Sequence, residues 1–111
     1  MSDREIELGA VRVFDGGVIS DSKPQAVKVL EEAAEAVEAW KDYDVCRRAV
    51  KMGMEAPGAQ QLRWSRMALS NELADVVQAA CNLAFECGID MRAALDRCER
   101  RNRERGRIVG A

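Results

Sequence analysis

Two long stretches without a helix-breaking residue constrain the fold of this chain more than any other feature. The first opens with Ser-Lys-Pro-Gln at 22–25 and runs until Gly53 and Pro57-Gly58 interrupt it. Serine can cap a helix, a glutamine three residues later can complete a capping box, and proline suits the first turn. The second stretch runs from about 59 to 86 and stops at Gly88. Both stretches predict long helices.

A third, shorter helix is predicted near the C-terminus, where Asp90 can act as the N-cap and Gly106 closes the run. We therefore expect an all-α fold, an antiparallel bundle of three or four helices joined by short loops. A length of 111 residues fits a single domain, 1–111. It divides into an N-terminal arm, 1–21, and the helical bundle, 22–106. A core of this size is modest, so association of several chains would cover more apolar surface.

The composition excludes several classes of function. The chain has no histidine, which removes the most common general base and the usual zinc ligand. The four cysteines form no C-x-x-C pair and fit reduced, packed thiols. A net charge of −2 gives no general attraction to nucleic acid or membrane. The sequence has neither a signal peptide nor an apolar stretch of membrane-spanning length, so we expect a soluble, cytoplasmic protein.

Two acidic pairs with the same spacing carry the candidate chemistry. Glu32 and Glu35 lie about 60° apart on the first predicted helix, and Glu72 and Asp75 repeat that spacing on the second. Alanine, valine and leucine surround both pairs, so part of each acidic stripe should approach the interior of the bundle. Grouped carboxylates need compensation, and hard oxygen ligands favour Mg²⁺, with Mn²⁺ possible. The alternative interpretation is that both pairs are solvated helix faces.

The strings LEEAAEAVEAW at 30–40 and NELADVVQAACNLAFECGID at 71–90 resemble the MazG-type all-α nucleoside triphosphate pyrophosphohydrolases. That superfamily includes the dimeric dUTPases and phosphoribosyl-ATP pyrophosphohydrolase. Its signature is EExxE on one helix and ExxD on the next. The connection at 36–71 is longer than the family commonly shows, and Cys98 stands near a position where the family often carries lysine.

The resemblance implies roles for individual residues. Magnesium would be held by Glu32, Glu35, Glu72 and Asp75, with Glu31 as the catalytic base or a further ligand. The implied contacts to the substrate are Lys28 and Asn82. Arg97, Arg101 and Arg105 are candidates to hold phosphate oxygens through their guanidinium groups, and Trp64 is the aromatic candidate nearest a ligand.

The implied activity is Mg²⁺-dependent hydrolysis of (d)NTPs at the α–β anhydride, which gives (d)NMP and pyrophosphate and would clean the nucleotide pool. The resemblance also implies a homodimer or homotetramer. The alternative is a small helical nucleic-acid-binding or interaction module, because residues 97–107 hold six arginines against two glutamates. Interleaved glutamates are typical of a solvated helix end, so we expect nucleic acid to be an unlikely partner.

Overall fold

A computed structural model describes residues 4–15 and 24–110. It contains three helices, α1 (Gln25–Lys51), α2 (Ala59–Glu86) and α3 (Met91–Glu104). The described parts of the chain contain no β-strand, so the all-α prediction is confirmed. The predicted cap residue Ser22 lies outside the described residues, and Pro24 stands directly before α1.

Glycine ends the two long helices, as the sequence predicts. Gly53 and Gly88 adopt φ values of 75° and 68°, a left-handed conformation that is unstrained only without a Cβ atom. After α1, the N–H of Met54 donates to the carbonyl of Ala49 at 3.0 Å, and Ile89 repeats this contact after α2. These are Schellman caps, which satisfy carbonyl groups that the helix itself leaves unpaired. Asp90 caps α3 as predicted, since its Oδ1 accepts the Ala93 N–H at 3.1 Å.

Helices α1 and α2 pack against each other as an antiparallel pair joined by residues 52–58. The less exposed side chains recur at alternating spacings of three and four residues, the pattern of a two-helix coiled seam. On α1 the seam residues are Val29, Glu32, Ala36, Ala39, Tyr43, Cys46 and Val50. On α2 they are Leu62, Ser65, Leu69, Glu72, Val76, Ala79 and Leu83. One glutamate from each helix therefore occupies a position that is normally apolar.

The N-terminal arm, residues 4–15, is extended and is held to α2 by two side chains one turn apart. Asn82 is only 3% exposed, and its Oδ1 accepts the backbone N–H of Phe14 at 3.0 Å. Gln78 donates from Nε2 to the carbonyl of Arg12 at 2.9 Å and to Asn82 Oδ1 at 3.0 Å. The arm is therefore fixed to α2 through its backbone.

The bundle is open, because α3 makes only sparse contact with the α1–α2 pair. The radius of gyration is 17.5 Å, against about 13 Å for a compact domain of this length. Among the described residues no large side chain is fully buried, and Leu30, Trp64 and Phe85 are more than half exposed. A single chain thus leaves much of its apolar surface uncovered. No helix in 24–110 combines the length and apolar character needed to cross a bilayer.

In the second half of α1, the buried carboxylate of Asp44 pairs with two exposed arginines. Asp44 is 8% exposed and accepts hydrogen bonds from Arg47 and, at 3.1 Å, from Arg48 Nε. The hydrogen bond from Arg47 and the positive charge of Arg48 lower the pKa of Asp44 below its usual 3.8 despite its burial. A lowered pKa means that the ionised carboxylate stabilises the fold, and that this stabilisation is lost as pH falls below 3.8.

We expect Asp44→Asn to lower the thermal midpoint at pH 7, with the difference from wild type closing as pH falls below 3.8. The matched control is Asp96→Asn, which removes an exposed ion pair with Arg92 on α3 and should change little. Thermal unfolding of both variants across pH measures this. Equal destabilisation by the two changes would contradict the role given to Asp44.

Candidate metal centre

Three carboxylates from two helices meet in the α1–α2 seam. Glu32, Glu35 and Glu72 each offer an oxygen, and these oxygens all lie within 4.8 Å of one another. Glu35 lies about 24 Å before the end of α1 and Glu72 about 20 Å after the start of α2, at the usual helical rise. Antiparallel packing across a short connection therefore brings them to the same level. Glu32 and Glu35 of the first acidic pair thus face Glu72 of the second.

Asp75 lies at the edge of this group. It is exposed, and its oxygens are not among those within 4.8 Å. Its negative charge nonetheless helps to raise the pKa of Glu32, so it is close enough to act electrostatically. Of the four predicted ligands, the structure brings three together and leaves Asp75 beside them.

The site carries more negative charge than its surroundings compensate. Burial raises the pKa of Glu32 above its usual 4.5, and the charge and hydrogen bond of Glu35 raise it further. The Oε2 atom of Glu72 is buried and has no hydrogen-bond partner among the described residues. An unpartnered buried carboxylate oxygen is costly, and proteins normally satisfy such atoms with a donor or a cation.

Lys28 supplies part of the missing positive charge. Its Nζ lies 3.5 Å from Glu31 Oε2 and 3.7 Å from Glu32 Oε1, one helical turn away. It lowers the pKa of Glu32, but less than burial and Glu35 raise it. The structure therefore places the predicted base Glu31 and the predicted phosphate contact Lys28 together, directly beside the three carboxylates.

An open groove of about 440 Å³ continues from the carboxylates along α1. Glu35 and Glu72 line one end, Ala34 and Ala39 contribute small side chains, and Glu38 and Asp42 complete the lining. Sequence reasoning proposed no role for Glu38 or Asp42. Their spacing from Glu35, three and seven residues on the same helix, is the signal that could have found them.

The other predicted contacts lie outside this groove. Asn82 accepts the backbone of the arm, and Trp64 is 61% exposed, about 12 Å before Glu72 along α2. Arg97, Arg101 and Arg105 are exposed on α3 or at its end, and none of them lines the groove. One copy of the chain therefore gathers the acidic residues and Lys28, but not the arginines.

The donor set fits a hard divalent cation. Carboxylate oxygens from two helices are the ligands that Mg²⁺ and Mn²⁺ accept, and the described part of the seam offers neither thiolate nor imidazole beside them. The unpartnered Oε2 of Glu72 is the atom whose burial such an ion would explain.

Comparison of the chain with known protein families, with characterised proteins and with solved structures gives no match. The resemblance to the MazG-type enzymes therefore depends on the two quoted motifs alone. What it implies for activity, magnesium and oligomeric state stays a prediction.

We expect Glu32→Gln to stabilise the metal-free protein at pH 7. A raised pKa means that the folded state holds the proton more tightly, so ionisation of Glu32 costs stability as pH rises above 4.5. The neutral amide avoids this cost and should therefore raise the thermal midpoint. The gain should shrink to nothing below pH 4.5. Thermal unfolding in the presence of a chelator measures it.

The matched control is Glu55→Gln, in the exposed connection between α1 and α2. It should leave the midpoint unchanged at both pH values. If Glu32→Gln is destabilising at pH 7 without metal, the ionised carboxylate of Glu32 does not lower the stability of the fold. The electrostatic description of the seam is then wrong.

Proposed function

We propose that the protein is a Mg²⁺-dependent nucleoside triphosphate pyrophosphohydrolase that releases pyrophosphate and a nucleoside monophosphate. The observation that carries the proposal is the group of Glu32, Glu35 and Glu72 oxygens within 4.8 Å. A cation held by this group, together with Lys28 beside it, would offset the charge of the three carboxylates. Coordination positions of the cation that the carboxylates leave open would remain for a ligand. Phosphate oxygens are the natural ligands for such a site.

The proposed ligands of the ion are Glu32, Glu35 and Glu72, with Asp75 able to approach from the next turn of α2. Bound Mg²⁺ would neutralise phosphate charge, polarise the α–β anhydride and lower the pKa of a water molecule. The protein contributes by presenting the carboxylates from two packed helices. Their spacing is then set by the seam, and rigid helices hold such groups more accurately than loops do.

Glu31 is the proposed proton acceptor. A water oxygen attacks the α-phosphorus, and the bond from that phosphorus to the α–β bridging oxygen breaks, so that pyrophosphate departs. One proton of the water passes to a Glu31 oxygen. Carboxylates serve as general bases in proteins, and the absence of histidine leaves few other candidates here. The ammonium group of Lys28, 3.5 Å from Glu31, can balance negative charge on the departing pyrophosphate.

A second copy of the chain completes the proposed enzyme. Arg97, Arg101 and Arg105 do not line the groove beside the carboxylates of their own chain, and the α1–α2 pair leaves large apolar side chains exposed. A homodimer or homotetramer would cover this apolar surface. It could also bring Arg97, Arg101 or Arg105 of one copy to the phosphates bound by another, where guanidinium groups bind oxygens through two parallel hydrogen bonds.

We expect sedimentation velocity at micromolar concentration to give a particle of two or four chains. In 4–15 and 24–110 no large side chain is fully buried, so one copy of this part of the chain has little core of its own. Each chain has a mass of 12.3 kDa. A stable, folded particle of one chain would contradict the proposed completion of the site by a second copy.

The central test is pyrophosphate release from a panel of dNTPs and NTPs with Mg²⁺. We expect Glu35→Gln and Asp75→Asn each to reduce turnover at least about 100-fold, since loss of even the outer partners of a metal site typically costs 10- to 100-fold. The fold should survive, because both side chains are exposed. Glu55→Gln is again the control and should retain full turnover.

If both variants retain full turnover, the assignment of Glu35 and Asp75 as metal ligands is wrong. Orthophosphate and diphosphate as products would instead place the cleavage at the β–γ anhydride.

The rival function is nucleic-acid binding by the exposed arginines of 97–107. A salt-dependent gel shift without any triphosphate hydrolysis would favour that rival.

A further inference from the structure

We infer that the N-terminal arm belongs to the proposed active site, where Arg12 binds the terminal phosphate of the triphosphate and Asn82 holds the arm in position. The inference rests on the proposed function, because it adds a substrate ligand beside Glu32, Glu35 and Glu72. It gives a role to a segment that the acidic motifs do not include.

The residues that hold the arm share one side of α2 with Asp75. Measured from Glu72, Asp75, Asn82 and Gln78 are rotated about the helix axis by about −60°, −80° and −120°. The α2 residues that line the cavity beside α3 are rotated in the opposite sense and include Val76, Ala80 and Ala84. The arm is therefore anchored on the side of Asp75 and not on the side of that cavity.

The same side of the helix pair carries the proposed base and its lysine. Measured from Glu32, Lys28 and Glu31 on α1 are rotated by about −40° and −100°. In two antiparallel helices that face each other, rotation in the same sense leads to the same side of the pair. The anchors of the arm, Lys28 and Glu31 therefore border one side of the carboxylates.

The side chain of Arg12 points away from the cavity beside α3. Val11 and Val13 line that cavity, and consecutive side chains of an extended segment point to opposite sides. The carbonyl of Arg12 accepts from Gln78 at 2.9 Å, but its guanidinium group has no hydrogen bond or ion pair within 4–15 and 24–110. Its backbone is thus fixed while its charge is available to an anion.

Charges along α1 direct the phosphates towards the arm. Lys28 lies on the N-terminal side of Glu32, at 3.7 Å. Glu38 and Asp42 lie on the C-terminal side and are exposed. The β- and γ-phosphates carry most of the substrate's negative charge, so they are attracted to the lysine and repelled by the two acids.

The level of the arm along the helices favours the terminal phosphate. Lys28 lies about 6 Å before Glu32 along α1, and Gln78 lies about 9 Å beyond Glu72 along α2. Because the helices are antiparallel, these two displacements have the same direction. A phosphate chain that starts at the carboxylates therefore passes Lys28 first, and Arg12 is left for its far end.

Asn82 is the positioning residue. It is 3% exposed, and its Oδ1 accepts both the Phe14 N–H and Gln78 Nε2 at 3.0 Å. These contacts hold the arm by its backbone, so the loss of the Asn82 amide releases Arg12 without removing a carboxylate.

The test measures binding by calorimetry with Mg²⁺. The probes are the α,β-imido triphosphate and diphosphate of the dNTP that the protein hydrolyses fastest; they resist cleavage, and only the first has a γ-phosphate. We expect Arg12→Gln to weaken binding of the triphosphate at least about 10-fold, the size of one hydrogen bond between charged groups, and to leave the diphosphate unaffected. The control Arg92→Gln removes the same charge at the cavity beside α3 and should alter neither affinity.

Asn82→Ala should reduce the preference for the triphosphate as Arg12→Gln does, and the double variant should lose no more than either single variant. If Asn82→Ala does not fold, Gln78→Ala replaces it, because that change removes the donor to the Arg12 carbonyl.

An unaltered preference for the triphosphate in Arg12→Gln, or equal weakening of both analogues, would overturn the inference. The proposed function would still stand if Arg12→Gln released pyrophosphate with Mg²⁺. Absence of pyrophosphate release from every dNTP and NTP by the wild-type protein would overturn the proposed function and the inference together.

Discussion

Repulsion between carboxylates in the α1–α2 seam is the constraint on which the rest of the molecule depends. Glu32 and Glu72 occupy positions of a coiled seam that normally hold apolar side chains, and Glu35 lies within 4.8 Å of both. Carboxylates this close together repel one another unless a positive charge balances them, and partial withdrawal from water strengthens that repulsion. Two observations show that this negative charge is not fully compensated. The pKa of Glu32 is raised, and Oε2 of Glu72 has no hydrogen-bond partner among the described residues. Lys28 relieves only part of it.

The surrounding seam lets the two helices approach closely, but it contributes little to the stability of the fold. Ala36, Ala39 and Ala79 let the two helix backbones come together, but they bury little apolar area. Larger apolar side chains such as Leu30 and Phe85 point elsewhere and remain exposed. The described part of the α1–α2 pair thus leaves both apolar surface and negative charge uncompensated. The proposed cation balances the charge, and a second copy of the chain would cover the apolar surface.

Much of the fold could be predicted because its signals are local. Gly53, Gly88 and Asp90 end or begin helices through backbone contacts within a few residues, so their neighbours in the sequence suffice. The pairing of Glu32 with Glu35 on one helix face likewise follows from helical periodicity. Antiparallel packing of the two long helices then brings Glu72 opposite them.

The remaining features depend on tertiary contacts that no short motif encodes. The sparse contact of α3 and the engagement of Asn82 by the Phe14 backbone could not be read from spacing. Asp75 lies beside the group because the seam, and not the three-residue spacing, decides which acidic side chain turns inward. The groove beside Glu38 and Asp42 is not predicted by spacing along one helix, because Glu72 of α2 also lines it.

The central claim is that the seam carboxylates hold a divalent cation, and anomalous scattering from crystals grown with Mn²⁺ tests it most directly. The account predicts a manganese peak bonded to oxygens of Glu32, Glu35 and Glu72 in the wild type, and its loss in Glu72→Gln. A well-ordered crystal structure without that peak at millimolar Mn²⁺, with Lys28 or another cationic side chain neutralising the three carboxylates, would contradict it.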